Sequence, residues 1–121
     1  MKLALVMAVL GVALVNATAS RTAPAPAPSR VQVVAREFSF SLSRVRVHAG
    51  TAVIELANFG QDIHDLRVQR VGSKHVSGLG DVAAGGRGDL TVKLAPGRYS
   101  FWCSVANHRQ LGMKTTLVVT R

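Results

Sequence analysis

Short runs of apolar residues with strand-like spacing limit the possible folds of this chain more than any other feature. Val31–Phe38 and Asp89–Leu94 carry apolar residues at roughly every second position, and Thr51–Asn58 is rich in β-forming residues. A period of two is typical of a β-strand with one buried face, whereas an amphipathic helix repeats every 3.6 residues. No segment keeps helical spacing over three turns. The sequence therefore predicts an all-β chain.

Turn-forming residues divide the remaining sequence into further short strands. The additional predicted strands are Phe40–Leu42, a short strand around Val45 and Val47, His64–Val71, Tyr99–Ser104 and Lys114–Arg121. The glycine-rich segment Gly72–Gly88 is predicted to be a long loop with at most one short edge strand. About seven short strands separated by turn signals are typical of two sheets packed face to face. The predicted fold is a two-sheet β-sandwich.

The first 30 residues differ in composition from the rest. Residues 1–19 have the pattern of a secretory signal peptide: Lys2, the apolar run Leu3–Val15 and small residues up to Ala19. The run is shorter than the roughly 20 apolar residues of a usual spanning helix, so no permanent membrane span is expected. Residues 20–30 read as an extended Ala/Pro-rich linker, and residues 31–121 as the folded domain. We predict export to the periplasm or the cell exterior.

The chain is strongly basic. It has 15 Lys and Arg against 6 Asp and Glu, a formal net charge of +9. The basic residues are scattered and aromatic residues are few, which argues against a nucleic-acid partner. A positive field favours encounter with an acidic surface and raises association rates at low salt. We predict a monomer whose partners have acidic docking surfaces.

Cys103 is the only cysteine, so an internal disulfide is excluded. A lone cysteine in an exported protein is a reactive thiol, an intermolecular partner or a metal ligand. His108 follows five residues later and Met113 five residues after that. A thiolate, an imidazole and a thioether form a soft ligand set that suits copper, and a trigonal copper site needs a second histidine. His64 is the candidate for that ligand.

Two motifs around these residues resemble those of the cupredoxins, the small blue copper proteins. The spacing Cys103-x4-His108-x4-Met113 after Y-S-F-W looks like their ligand loop, and its length is closer to rusticyanin-like members than to plastocyanin. The pattern N-x-G-x-x-x-H-D, which contains His64, looks like their first-histidine motif. The likeness extends from about Val31 to Arg121.

This resemblance implies a Greek-key β-sandwich with one copper ion that cycles between Cu(I) and Cu(II). The implied ligands are His64, Cys103, His108 and Met113. The implied function is one-electron transfer between redox protein partners, without enzymatic activity. The likeness also implies that the edge of the His108 ring reaches the surface within an apolar patch, to which Ile63, Ala106 and Leu111 would contribute, with Arg109 at its rim.

The chain departs from the family pattern at two places. Ala106-Asn107 stands where Pro-Gly commonly precedes the second histidine, which implies a less rigid loop. Asp65 stands where an asparagine commonly ties the two ligand segments together. Asp65 can still accept a hydrogen bond from Ser104, and its charge is expected to favour Cu(II) and to lower the reduction potential.

Alternatives to an electron carrier remain open from the sequence. A multicopper oxidase needs His-x-His pairs, which the chain lacks, and a Cys-His hydrolase would leave Met113 and His64 unexplained. His48 and His75 have no partner at ligand spacing and are not expected to bind metal. An extracytoplasmic copper carrier or scavenger would use the same ligands. A metal-free adhesive β-sandwich is the remaining alternative if the ligands do not converge.

Overall fold

A computed structural model describes residues 11–121, and this part of the chain forms a β-sandwich with nine strands and one four-residue helix. The strands are β1 (Ser29–Arg36), β2 (Ser39–Leu42), β3 (Arg46–His48), β4 (Gly50–Asn58), β5 (His64–Arg70), β6 (Val76–Val82), β7 (Arg87–Leu94), β8 (Gly97–Trp102) and β9 (Lys114–Thr120), and the helix is α1 (His108–Leu111). The prediction of an all-β, two-sheet fold is confirmed. Within residues 11–121, no helix has the length and apolar character needed to cross a membrane. The first half of the predicted signal peptide, residues 1–10, lies outside the described residues.

The two sheets are mixed. One sheet has the strand order β2-β1-β4-β7 and the other has the order β3-β9-β8-β5-β6. Most neighbours are antiparallel, but β1 pairs with β4 and β3 pairs with β9 in parallel. The chain leaves the first sheet after β2, passes through β3 and returns in β4, so β4 runs in the same direction as β1. These crossings between the sheets join them into a single sandwich.

Alternate residues of the strands face one another across the sandwich and form its core. On β1, Val31, Val33 and Ala35 are almost fully buried, while the residues between them are partly exposed. On β8, Tyr99 and Phe101 are buried in the same alternating way. Each fully buried large side chain stabilises the fold by about 1.5–3 kcal/mol relative to exposure. Core packing therefore fixes the strands that carry the loops described below.

The segment Gly72–Gly88 contains a complete edge strand rather than mostly loop. β6 has seven residues and pairs antiparallel with β5. A Cβ atom at Gly78 would overlap the backbone oxygen of Leu66 on β5. This glycine permits close strand pairing, which is why glycine content alone was a misleading loop signal here.

One end of the sandwich collects the chain segments that carry the predicted ligands, and we call it the site end. β1, β4 and β8 finish there, and β5 and β9 begin there. The beginning of β1 at Ser29 and the end of β9 at Thr120 lie at the opposite end, which we call the far end. The pairing pattern thus brings the β4–β5 loop and the β8–β9 loop together, although they are about 40 residues apart in the sequence.

Candidate metal centre

Three predicted ligands converge at the site end. The Nδ1 atoms of His64 and His108 are 3.2 Å apart, and the Cys103 Sγ atom lies 4.0 Å from the first and 3.7 Å from the second. The three side chains form the metal-ligand cluster found within residues 11–121. His64 and Cys103 are fully buried, and His108 is 7% exposed. The arrangement encloses a small space lined by two nitrogen atoms and one sulfur atom.

The β8–β9 loop holds Cys103, His108 and Met113 in one hydrogen-bonded unit. Cys103 continues the inward face of β8, and its N–H donates to the Met113 carbonyl at 3.1 Å. The Met113 N–H in turn donates to the His108 carbonyl at 3.1 Å. Met113 is fully buried. The backbone thus fixes the relative positions of these three residues and places the methionine beside the cluster.

The turn within this loop uses two positive backbone angles. Gly112 has φ 126°, a conformation that glycine adopts readily and that lets the chain reverse. Ala106 has φ 42°, a region that residues with a Cβ atom rarely adopt. Ala106 is one of the two residues at which the loop departs from the usual Pro-Gly. The departure therefore places a non-glycine residue in a left-handed conformation two residues before α1.

The β4–β5 loop is fixed by the buried side chain of Asn58. Its Oδ1 accepts the Gly60 N–H at 2.9 Å, and its Nδ2 donates to the carbonyls of Asp62 at 2.8 Å and Val82 at 2.9 Å. These three bonds close the loop immediately before His64. They give a physical reason for the asparagine at the start of the N-x-G-x-x-x-H-D pattern, which the sequence alone did not supply.

Glu37 is a site residue that the sequence analysis missed. Its Oε1 accepts the N–H groups of Gln61 and Asp62, each at 2.8 Å, and lies 2.9 Å from His64 Nε2. The backbone N–H groups of Asp62 and then Gln61 are the main cause of a pKa of about 2 for Glu37. The only sequence signal was an acidic residue at the end of a strand. Nothing in its spacing connects it to His64, because only the folded sandwich brings the two together.

Burial raises the pKa of the Cys103 thiol. The backbone N–H of Asp65, whose nitrogen is 3.5 Å from Sγ, opposes this effect because it stabilises a thiolate. A metal ion bound by this sulfur must therefore displace a proton.

Asp65 links the two loops that supply the ligands. Its Oδ1 accepts the Ser104 N–H at 2.5 Å, and its Oδ2 accepts the Ser104 hydroxyl. Arg67 Nη2 lies 3.3 Å from the same Oδ2. The side chain of Asp65 is almost fully buried. The expected hydrogen bond from Ser104 is present, so aspartate can tie the segments together here.

The surroundings of His108 are partly apolar and open to the surface. Its ring centroid lies 4.9 Å from that of Phe38, and its Nε2 is 3.7 Å from Asp62 Oδ2. Ile63 is 48% exposed and Leu111 is 51% exposed. The guanidinium of Arg109, the residue after His108, lies 4.5 Å from the centre of the Trp102 ring on β8.

His48 and His75 lie outside the cluster. His48 Nδ1 is 3.1 Å from the Arg121 carbonyl oxygen, and His75 Nε2 is 3.1 Å from Ser77 Oγ. Both rings are exposed and lie away from the site end.

The donor set fits a copper ion. Two imidazole nitrogens and one thiolate sulfur, with a thioether nearby, are the ligands of trigonal copper sites in electron-transfer proteins. Harder ions such as Mg²⁺ and Ca²⁺ prefer oxygen ligands instead. The residues present are thus suited to one copper ion.

Comparisons with known proteins agree with this reading. The family model for the cupredoxin-like domain matches residues 5–119. Auracyanin from Roseiflexus castenholzii superposes with a TM-score of 0.65 at 16% identity, covering 79% of this chain and 100% of that one. Auracyanin A from Chloroflexus aurantiacus gives 0.63 at 17% identity, covering 78% and 100%.

Rusticyanin from Thiobacillus ferrooxidans superposes with a TM-score of 0.61 at 17% identity, covering 78% of this chain and 79% of that one. No curated protein sequence matches the chain. At these identities the structural likeness shows the fold, and the family-model match covers nearly the whole chain. The chain belongs to the cupredoxin-like domain family.

Proposed function

We propose that this protein binds one copper ion through His64, Cys103 and His108, with Met113 as a weak axial ligand, and carries single electrons between redox partners. The observation that carries the proposal is the convergence of three soft donors within 4.8 Å of one another in a buried space. The metal-free adhesive alternative required ligands that do not converge, and these three converge.

The way the ligands are held favours electron transfer over catalysis. Hydrogen bonds among backbone groups and Asp65 connect the ligand segments to one another within the protein itself. A frame of this kind gives Cu(I) and Cu(II) nearly the same surroundings, which keeps the reorganisation on electron transfer small. A catalytic metal site keeps a position open for substrate. The burial of His64, Cys103 and Met113 favours a site without such a position.

The same burial favours an electron carrier over a copper carrier. A protein that hands copper to another must expose its ligands to the recipient. Here the least buried of the four proposed ligands, His108, is only 7% exposed. We infer that copper stays bound and that electrons leave through the His108 ring edge, between Ile63 and Leu111.

The finer features of the function are also proposals. The net charge of +9 supports a partner with an acidic docking surface, with Arg109 at the rim of the His108 patch. We propose that the protein acts as a monomer after export. The sequence pattern of residues 1–19 supports export. N-terminal sequencing of the protein recovered outside the cytoplasm should give Ser20 as the first residue, or Thr18 if cleavage follows Ala17, and an intact Met1 would contradict it.

The test of the copper site is spectroscopic. We expect the purified protein with one equivalent of Cu(II) to show intense visible absorption from a copper–thiolate bond and a narrow copper hyperfine splitting in electron paramagnetic resonance. Both should be absent in Cys103→Ala and present in His75→Ala, the matched control at an exposed histidine. Weak absorption with ordinary hyperfine splitting in the wild type would mean that no thiolate bond forms and would remove the electron-transfer proposal.

A chelator-exchange measurement separates the two uses of copper. An electron carrier should keep its copper through repeated reduction and oxidation in the presence of a competing chelator. Rapid loss of Cu(I) to the chelator would favour the copper carrier instead.

A further inference from the structure

We infer that Glu37 is a positioning residue that fixes the tautomer and orientation of His64 and increases its strength as a metal ligand. This inference rests on the proposed metal-binding role of His64. It assigns a role to an acidic side chain that is distant in sequence from both ligand motifs.

The two nitrogens of the His64 ring face different partners. Nδ1 points into the cluster, 3.2 Å from His108 Nδ1 and 4.0 Å from Cys103 Sγ. Nε2 points away from it and lies 2.9 Å from Glu37 Oε1. A carboxylate can only accept at this position, so the ring proton belongs on Nε2. Nδ1 then offers its lone pair to the metal.

Hydrogen bonds hold the Glu37 carboxylate in the position that fixes the tautomer of His64. The same Oε1 accepts the N–H groups of Gln61 and Asp62, so three donors converge on one oxygen atom. Gly60 leaves the space that the carboxylate occupies, because a Cβ atom there would overlap it. The carboxylate is therefore built into the loop that precedes His64.

A carboxylate that accepts from the far nitrogen of a ligating imidazole has two effects on the metal. It holds the ring in the orientation that binding requires, and it raises the basicity of the ligating nitrogen. The higher basicity favours the more highly charged Cu(II) over Cu(I). Loss of such partners typically costs 10–100-fold in metal affinity.

Two variants separate positioning from a merely structural role. Glu37→Gln keeps an oxygen that can accept the same hydrogen bonds but removes the charge. Glu37→Ala removes the acceptor. The matched control is Glu55→Gln, which makes the same change on β4, where Glu55 contacts Gln32 and Arg87 instead of a predicted ligand.

The first readout uses Zn(II), which does not change oxidation state, so it does not depend on electron transfer. Competition with a chelator should show that Glu37→Ala binds Zn(II) about tenfold or more weakly than the wild type. Glu37→Gln should lie between the two, and Glu55→Gln should match the wild type. A smaller loss in Glu37→Ala would overturn the inference and leave Glu37 as a loop contact only.

The second readout is the tautomer itself and needs no variant. Nitrogen-15 correlation spectra of the Zn(II)-loaded wild type should show His64 protonated at Nε2 with Nδ1 bound to metal. Protonation at Nδ1 would contradict the inference. If Zn(II) binds as described but Cu(II) gives no thiolate spectrum, the electron-transfer proposal fails while the role of Glu37 stands.

The third readout is the reduction potential of the copper-loaded protein. Glu37→Gln should shift the one-electron equilibrium towards Cu(I) by about tenfold, which corresponds to a rise of about 59 mV. An unchanged or lower potential would contradict the predicted effect on ligand basicity.

Discussion

Asp65 joins the β4–β5 and β8–β9 segments that carry His64, Cys103 and His108. Its carboxylate accepts two hydrogen bonds from Ser104, and its own N–H donates to Cys103 Sγ. Arg67 offsets part of the negative charge from 3.3 Å. The negative charge of Asp65 that Arg67 does not offset acts on a bound metal ion through the protein interior, where charges are screened less than in water.

Asp65→Asn should raise the reduction potential, because the amide keeps an acceptor for Ser104 but removes a negative charge that favours Cu(II). We expect a rise on the order of 60 mV, a tenfold change in a one-electron equilibrium. Protein-film voltammetry measures it directly. Asp89→Asn, the same change at an exposed position on β7, should leave the potential unchanged. No change or a fall in Asp65→Asn would refute the prediction.

Residues of distinctive chemistry are those that the sequence reveals best. Cys103, His108 and Met113 are close in sequence, so their spacing predicts a joint role, and their placement in one loop is now seen. His64 was found because a copper site needs a second histidine and because it lies in the N-x-G-x-x-x-H-D motif. Glu37 escaped notice because a single carboxylate has many ordinary roles, and its partner becomes visible only when β1 and the β4–β5 loop meet.

At the scale of single elements, β9 illustrates how alternation divides a strand into two faces. Leu117 is fully buried opposite Tyr99 of β8, whereas Val118 is only partly buried on the other face. The same period of two places Phe101 and Cys103 on one buried face. Alternation is reliable in such strands because one face must pack against the second sheet.

Leu117→Ala should lower the free energy of unfolding by about 2–5 kcal/mol, since it removes buried methyl groups and leaves a cavity. Val118→Ala on the same strand should cost about 1 kcal/mol or less. Urea denaturation followed by Trp102 fluorescence measures both. Equal losses in the two variants would contradict the assignment of faces.

Glu55 connects three strands of one sheet. Its Oε1 accepts from Gln32 of β1 at 2.7 Å and from Arg87 of β7 at 2.8 Å. The hydrogen bond from Gln32 is the main cause of a pKa below the ordinary value of 4.5, with Arg87 adding to it. A lowered folded-state pKa contributes stability that is present above pH 4.5 and is lost as the pH falls through the lowered value.

Glu55→Gln should therefore make the free energy of unfolding depend less on pH in the acidic range. The difference in free energy of unfolding from the wild type should be at most about 1 kcal/mol at pH 7, because the group is partly exposed. It should shrink as the pH falls below 4.5. Urea denaturation at a series of pH values tests this, and two parallel profiles would show that the Glu55 carboxylate is not responsible.

Elements without alternation were the hardest to predict. β6 contains Gly78 and Gly80, and its burial pattern shows no regular alternation because it lies at the edge of its sheet. Its pairing with β5 depends on backbone hydrogen bonds, which any residue except proline can make. Composition therefore indicated a long loop with one short edge strand, where the fold has a seven-residue edge strand.

At the scale of the whole molecule, the formal net charge of +9 should govern encounters with charged reagents. Oxidation of the Cu(I) protein by anionic hexacyanoferrate(III) should slow about tenfold between low and high ionic strength, because salt screens the attraction. Stopped-flow absorbance measures the rate. The cationic oxidant tris(phenanthroline)cobalt(III) should show the opposite trend, and a shared trend would contradict electrostatic steering.

The location of charge matters as well as its sum. Arg109→Glu and Arg46→Glu change the net charge equally, but Arg109 directly follows His108 in the chain, whereas Arg46 lies towards the far end. Arg109→Glu should slow the hexacyanoferrate reaction more. Equal slowing in both variants would mean that electrons do not pass through this patch.

The strand directions also determine which side of the domain faces outwards when the domain is attached to a second protein or to an electrode. Ser29 and Thr120 both lie at the far end, while His108 lies at the site end. A linker joined at either strand end leaves the His108 surface pointing away from its support. If the domain is fused to a second protein or fixed to an electrode through either of these positions, its proposed electron-transfer face points away from the attachment and stays accessible to a redox partner.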